Sequence, residues 1–269
     1  MSNTLLLIDI SYCCFYRYHA LCNWFKLANP DSVLDCHNIK ENQVFMDKFH
    51  KKFIDMFRDL VKKYQPNEII LAMDGSQNWR KQIYKEYKAT RKNSKSQIYD
   101  DEIFIYLRDV IIPEIEESFG ATKILEPTAE GDDVISVLKK HNRNKDLERK
   151  IVIITSDTDM CQLIDENTDV FDLKSKNLRA VLEKDNLTAS QYLIQKCILG
   201  DKSDNIPSVF PKCGKKTVAK YLENMDLFNT QLNSSQDYID RYKHNQLLIN
   251  LDNIPQEIQD KIINLYLEC

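Results

Sequence analysis

Three short apolar runs stand out along the chain, at 4–8 (TLLLI), 68–73 (EIILAM) and 151–154 (IVII). They are continuous rather than alternating, which predicts strands buried on both faces. Between the first two, Val44, Phe45, Phe49, Phe53, Phe57, Leu60 and Val61 recur at helical spacing within 42–64. That helix should stop at Gln65-Pro66, because the residue before a proline is pushed out of helical geometry. Residues 103–119 and 133–140 also read as helices, the former interrupted near Pro113. Strands alternating with helices predict an α/β fold: a mostly parallel central sheet with helices on both faces. Beyond about residue 185 the strand pattern disappears. Short helices broken at 201–208, Pro211 and Gly214 follow, then 238–249 and 255–267. The expected division is an α/β core over 1–185, with a basic segment at about 76–100, and an all-helical region over 186–269. That region carries a helix–hairpin–helix-like motif at about 198–222. No Gly/Ser-rich linker, low-complexity tract or repeat separates the two.

Composition narrows the class. Of 269 residues, 43% are hydrophobic and 29% charged, enough to build a core and to exclude global disorder. The net charge of −4 excludes a uniformly basic nucleic-acid coat, so any such role must come from local charge. The N-terminal apolar run ends at once on Asp9 without a basic flank or cleavage site, and no stretch approaches membrane-spanning length. A protein of the cytoplasm, monomeric by default, is expected. The eight cysteines never form a C-x-x-C pair and none has a histidine at zinc-finger spacing, which predicts free thiols in a reducing compartment.

Acids follow the strands. Asp9, Asp74, and Asp157 with Asp159 fall at or just past the ends of the three apolar runs. In open parallel sheets that edge is where ligands bind. Glu130-Gly131-Asp132-Asp133 opens a helix, and Asp201 with Asp204 sits in the loop after 197–200. Singly, each cluster has an ordinary explanation as a helix cap or a turn residue. Together they make nine carboxylates in five clusters. Crowded carboxylates repel one another and are costly to desolvate, so convergence requires cations. Oxygen-only ligation suits Mg²⁺, with Mn²⁺ as a substitute, rather than Zn²⁺. Two such ions about 3.5–4 Å apart serve in-line displacement at phosphorus, which predicts phosphodiester hydrolysis. Gly75, Gly131 and Gly200 lie in or beside these clusters, as close backbone approach at a ligand site or a tight turn would require.

Residues 80–95 contain seven Lys/Arg and one acid. A solvated helix face is the ordinary reading of such a run. Its start just after Asp74 sets it over the acidic edge, and Trp79, Tyr84 and Tyr87 add rings for stacking on unpaired bases. A second patch, Lys212, Lys215, Lys216 and Lys220, surrounds Gly214 where a helix begins, a place suited to holding phosphate. Two patches flanking one acidic centre suggest a long polyanion.

The ordered set Leu7-Ile8-Asp9, Met73-Asp74-Gly75, Ala129-Glu130-Gly131-Asp132-Asp133, Thr155-Ser156-Asp157-Thr158-Asp159 and 199–207 (LGDKSDNIP), followed by 214–219 (GKKTVA), resembles the flap-endonuclease or 5′-nuclease superfamily. Within it the bacteriophage-type ribonuclease H and 5′→3′ exonucleases are most similar, over about residues 4–255. The resemblance implies a PIN-like core with a helix–three-turn–helix. It implies one metal held by Asp9, Asp74, Glu130 and Asp132, with Asp133 adding charge. A second would lie on Asp157, Asp159 and Asp201, with Asp204 acting through water. Asp9, Asp74 and Asp157 would be the catalytic acids. Lys88 and Arg91 would contact the scissile phosphate and Tyr87 would stack near the 5′ end. The segment around Glu86-Tyr87-Lys88 and Arg91, about 76–100, resembles the family's arch, and Arg80, Lys81, Tyr84, Lys85 and Lys92 would complete its nucleic-acid contacts. Lys212, Gly214, Lys215, Lys216 and Thr217 would grip duplex backbone, in the family often around a bound K⁺. The usual Gly-Ile-Gly-Pro-Lys turn stands here as 210–216 (FPKCGKK), a residue longer and a glycine short, which counts against the K⁺.

The implied activity is a Mg²⁺-dependent, structure-specific 5′ nuclease, removing RNA primers or 5′ flaps from duplex DNA or RNA–DNA hybrids in viral replication. Single-strand binding protein or other replication proteins would be its partners. No clamp-binding motif or polymerase segment follows, so a stand-alone nuclease is expected. Two alternatives differ in class. A PIN-like single-strand ribonuclease shares the acidic core, but the lysine-rich hairpin argues against it. A non-catalytic DNA-junction binder should have lost acids, and none is missing.

Overall fold

The computed structural model describes residues 3–30, 34–35, 39–90 and 101–269. Five strands, β1 (Thr4–Asp9), β2 (Glu68–Ala72), β3 (Ala121–Ile124), β4 (Lys150–Ile154) and β5 (Thr168–Phe171), form one sheet in the order β3-β2-β1-β4-β5. Every pair is parallel. The three strands expected from the apolar runs are its three central ones. β3 (ATKI) and β5 (TDVF) were not anticipated: four residues long and half polar, they suit sheet edges and carry little apolar signal.

Side chains of a strand alternate between faces. Leu6 and Ile8 enter one core cluster with the helix α1 (Ile10–Ala28) and the helix α2 (Gln43–Tyr64). Leu5 and Leu7 enter the opposite cluster. All four are fully buried, each contributing roughly 1.5–3 kcal/mol. Asn42 caps α2 through the Phe45 amide, and Gln65 closes it in left-handed geometry before Pro66. The short α3 (Trp79–Ile83) precedes α4 (Asp101–Tyr106). A π-helical turn, Leu107–Ile111, separates α4 from α5 (Ile112–Phe119). That turn is the interruption expected near Pro113, whose missing N–H displaces the hydrogen-bond ladder.

On the second face lie α6 (Gly131–Lys145), α7 (Arg179–Lys184) and the start of α8 (Ala189–Leu199). Then come α9 (Lys215–Glu223), α10 (Met225–Asn233), α11 (Gln236–Ile249) and α12 (Gln256–Leu267). Ile198, Val209, Phe210, Val218, Tyr221 and Phe228 form a small core of their own, whereas Ile258 and Ile262 of α12 return to the sheet. Beyond residue 185 the described residues hold no strand, only the isolated bridge Asp201↔Ile206. No described helix is long and apolar enough to cross a membrane, and the seven described cysteines are free.

Candidate active site

Because β2, β1 and β4 lie side by side, Asp9, Asp74 and Asp157 leave the sheet at neighbouring points of one edge. Asp9 ends β1 and caps α1: its Oδ1 accepts from the Tyr12 amide at 2.9 Å and its Oδ2 from Thr155 Oγ1 at 2.8 Å. The chain after Asp74 runs hard against residues 126–129. A Cβ on Gly75 would meet the Glu126 and Pro127 carbonyl oxygens at 2.4 Å, so only glycine fits. This approach lets the Gly131 amide donate to Asp74 Oδ1 at 2.6 Å, while Ser11 Oγ donates to Oδ2 at 2.5 Å. Glu130 caps α6 in a reciprocal box with Asp133, and Asp157 caps the turn Thr158–Leu163 through the Asp159 amide at 2.8 Å.

Asp9, Asp74, Glu130, Asp132 and Asp157 thereby line one cavity of about 290 Å³, with Lys88, Ser11 and Thr155 also on its wall. A narrower adjoining cavity shares Asp132 and Asp157 and adds Asp159 and Asp204. Asp201 lies outside both cavities and is tied to Asp159 through Lys196, whose Nζ is 2.5 Å from Asp201 and 2.7 Å from Asp159. Asp133 faces the protein interior. It is fully buried and bonds Arg80 at 2.7 and 3.0 Å and Trp79 Nε1 at 2.9 Å, supporting the cavity wall rather than lining it.

The electrostatics divide the acids. Burial, then the Asp74 charge, pushes Asp9 from the ordinary 3.8 to about 7. Burial, then Asp157, lifts Asp159 to about 6. Burial, then Glu130 and Asp133, drives Asp132 well above the usual carboxylate range. Glu130 and Asp201 go the other way. Burial opposes ionisation at both, but Lys88 and Arg80 hold Glu130 at about 2, and Lys196 and Ser203 hold Asp201 at about 2. The protein's own cations thus satisfy Glu130 and Asp201 and, through Lys196, pair with Asp159, leaving a surplus of negative charge at Asp9 and Asp132. Among the described residues no three acidic, histidine or cysteine side chains are drawn to coordinating distance of one point. The all-oxygen donor set and this surplus fit a hard divalent cation.

Lys88 reaches into the cavity from a left-handed backbone (φ 56°). Its Nζ bonds Glu130 and lies 3.9 Å from Asp204. Its neighbours required correction. Arg80, expected on nucleic acid, is 1% exposed, stacked 4.5 Å from the Trp79 ring and bonded to Asp133, Glu130 and the Leu248 carbonyl. Tyr87, expected to stack on a base, is 3% exposed with its hydroxyl 2.9 Å from Glu130 and 3.1 Å from Asp204. The basic run is two-faced: Arg80 turns inward to neutralise acids and Tyr87 to hydrogen-bond them, while Lys81 and Lys85 stay exposed. Tyr84 is half-buried, its hydroxyl donating to the Asn205 carbonyl at 3.1 Å. Arg91 and Lys92 lie outside the described residues. At the hairpin Lys212, Gly214, Lys215 and Lys216 are exposed where α9 begins, Thr217 is half-buried, and Lys215 pairs with Asp185 at 2.6 Å.

Three residues at the site were given no role from the pattern: Ser11, Lys196, and Thr155, which entered only as the first residue of a motif. Ser11 sits two positions after an Asp at a helix start, and Lys196 one turn before Gly200 and its acids, so both carried a local signal. Thr155 carried none beyond following a strand.

So much uncompensated acid opposite exposed lysines belongs to proteins that cut phosphodiesters, and the comparisons agree. The family model for the 5′-3′ exonuclease, N-terminal resolvase-like domain matches residues 4–192. The chain belongs to that family and is a nuclease domain of the 5′–3′ exonuclease type. It is 32% identical over 233 residues to DNA polymerase I of Lactococcus lactis subsp. cremoris, covering 82% of this chain and 24% of that protein. The chain therefore spans about a quarter of the length of that relative. It is 30% identical over 220 residues to a 5′-3′ exonuclease of Buchnera aphidicola, covering 80% of this chain and 68% of the other. In fold it is similar to a T5 5′-exonuclease with divalent metal ions (zinc) bound, with a TM-score of 0.70, 21% identity and 99% of both chains covered. It is also similar to a bacteriophage T5 flap endonuclease in a pseudo-enzyme–product complex with DNA and metal ions, with a TM-score of 0.69, 20% identity and 99% and 98% covered.

Proposed function

We propose that the protein is a Mg²⁺-dependent, structure-specific 5′ nuclease that removes RNA primers or 5′ flaps from duplex DNA or RNA–DNA hybrids during replication. The observation that carries this reading is the single cavity lined by Asp9, Asp74, Glu130, Asp132 and Asp157, whose charge the protein's own cations leave unbalanced. Asp9, Asp74, Glu130 and Asp132 would hold one ion, and Asp157, Asp159 and Asp201 the other, with Asp204 acting through water. When bound, such ions activate water and stabilise the leaving oxygen of an in-line displacement. The chain's own residues do the rest. Lys88 moves from Glu130 to the scissile phosphate, with Arg91 beside it. Lys212, Lys215 and Lys216 hold duplex backbone at the N-terminal end of α9, so that the 5′ end enters the cavity. Arg80 and Asp133 keep Glu130 and Asp132 in place. The relatives named 5′-3′ exonuclease and DNA polymerase I, and the fold neighbour bound to DNA and metal ions, favour this substrate class.

Cleavage of a 3′-labelled nicked duplex bearing a 5′ flap tests the reading. Product at the junction or 5′ end should appear with wild type and Mg²⁺, and be absent with EDTA or in Asp157→Asn, while DNA binding persists. Junction binding without cleavage in either Mg²⁺ or Mn²⁺ would refute it.

A further inference from the structure

A second cavity, of about 280 Å³, lies between α1 and α2. Its floor is apolar, made by Leu21, Phe49 and Trp24, and its rim is Arg17, Lys48 and Lys52. Among the described residues no acid lines it, in a chain whose net charge is −4. Two rim groups have no carboxylate partner among the described residues. Arg17 Nε is buried without a hydrogen-bond partner. Lys48 Nζ rests 3.7 Å from the Trp24 ring centroid, an ammonium held by a ring rather than by a carboxylate. Trp24 packs beside Lys48, while Arg17 and Lys52 share the same cavity, so the two helices run antiparallel there. One turn further along each helix, Leu27 and Val44 are 84% and 64% exposed, extending the apolar surface.

The place and shape of this cavity argue against the nuclease substrate. α1 starts beside Asp9, and at 1.5 Å per residue Trp24 lies about 20 Å from the acidic edge. One face of the Trp24 ring is already covered by Lys48. The volume falls just below the roughly 300–1,000 Å³ of small-molecule pockets, enough for one large side chain. We propose that the α1–α2 cavity is a docking site for an acidic peptide segment of a partner protein. One apolar side chain of that segment sits on Leu21 and Phe49, and flanking carboxylates pair with Arg17, Lys48 and Lys52.

A fluorescein-labelled, acetylated and amidated peptide, Asp-Asp-Phe-Asp-Asp, tests this by anisotropy and by its effect on Trp24 emission. Binding should weaken about tenfold or more in Lys48→Glu/Lys52→Glu and by a smaller factor in Arg17→Gln, as loss of rim charge predicts. Replacing the peptide's Phe by Ala, or its Asp residues by Asn, should weaken it comparably. Thermal melting and flap cleavage by these variants should match wild type, since none of the three residues belongs to the nuclease cavity. Affinity indifferent to the rim substitutions or to the peptide's Phe would overturn the proposal. So would an oligothymidylate that displaces the peptide and whose own binding depends more strongly on Lys48 and Lys52.

Discussion

Arg80 provides the sharpest contrast between a surface role and a buried one. Its guanidinium bonds Asp133 at 2.7 and 3.0 Å, Glu130 at 3.1 Å and the Leu248 carbonyl at 2.8 Å. Arg80→Met keeps most of the aliphatic volume on Trp79 but leaves the fully buried Asp133 with only the Trp79 Nε1 and Glu130 amide donors, at 2.9 and 3.0 Å. Removing one partner of a buried ion pair costs about 3–5 kcal/mol, because the other charge stays desolvated. At ~2–4 °C per kcal/mol for a chain of this size, the melting temperature should fall by about 6–20 °C. Arg80→Met/Asp133→Asn should recover much of the loss, since no uncompensated charge remains. A surface phosphate contact would behave oppositely: stability within about 0.5 kcal/mol of wild type, and a DNA-binding salt slope reduced by about one. Thermal or urea unfolding beside DNA binding at several salt concentrations separates the two. Stability close to wild type together with the reduced slope would refute the buried-pillar assignment.

Two further outcomes follow from the acids. A carboxyl whose folded value is raised binds its proton more tightly in the folded state, so its cost is absent below the ordinary 3.8 and grows as pH rises toward about 7 at Asp9. Glu130 and Asp201, held at about 2, act only in acid and leave this window untouched. In EDTA, Asp9→Asn should therefore melt progressively higher than wild type between pH 5 and 8. The gap should open by about 1.4 kcal/mol across this window, half the roughly 2.7 kcal/mol that ~1.4 kcal/mol per tenfold change allows between pH 5 and about 7, because the cavity admits water. Mg²⁺ should raise the wild-type midpoint more at pH 8 than at pH 5, and a pH-independent gap in EDTA would count against the reasoning. Within the basic run, the Lys88 amide donates to the Asp204 carbonyl at 3.0 Å and Asn205 Nδ2 to the Glu86 carbonyl at 3.0 Å, so the 201–206 loop seats Lys88. Lys88→Ala should slow single-turnover cleavage by about 10²–10³. Asn205→Gly keeps the left-handed backbone and should cost less, and in the double variant it should add little, whereas full additivity would show that the loop does not act through Lys88.

The parts of this molecule that were legible in its sequence share one property: the signal is local. A continuous apolar run closing on an acid identifies a buried strand and the edge it points to, and three such runs proved to be the three central strands. Asn42 and Pro66 bracket α2 by backbone chemistry alone. β3 and β5 escaped because a four-residue edge strand needs little apolar surface; their pairing with β2 and β4 supplies what their own side chains do not. Arg80 and Tyr87 were misjudged for a related reason. The charge of residues 80–95 is a sum over a segment, and a sum cannot say which members turn inward. What turns them inward is acid from elsewhere in the chain: Glu130 and Asp133 at the start of α6, and Asp204 in the loop before α9. The same long-range pairing governs Lys196, whose role depends on Asp159 lying opposite α8. Composition identified the opposing charges at this site, and the sheet order decided which of them neutralise each other and which are left for a cation and a phosphate.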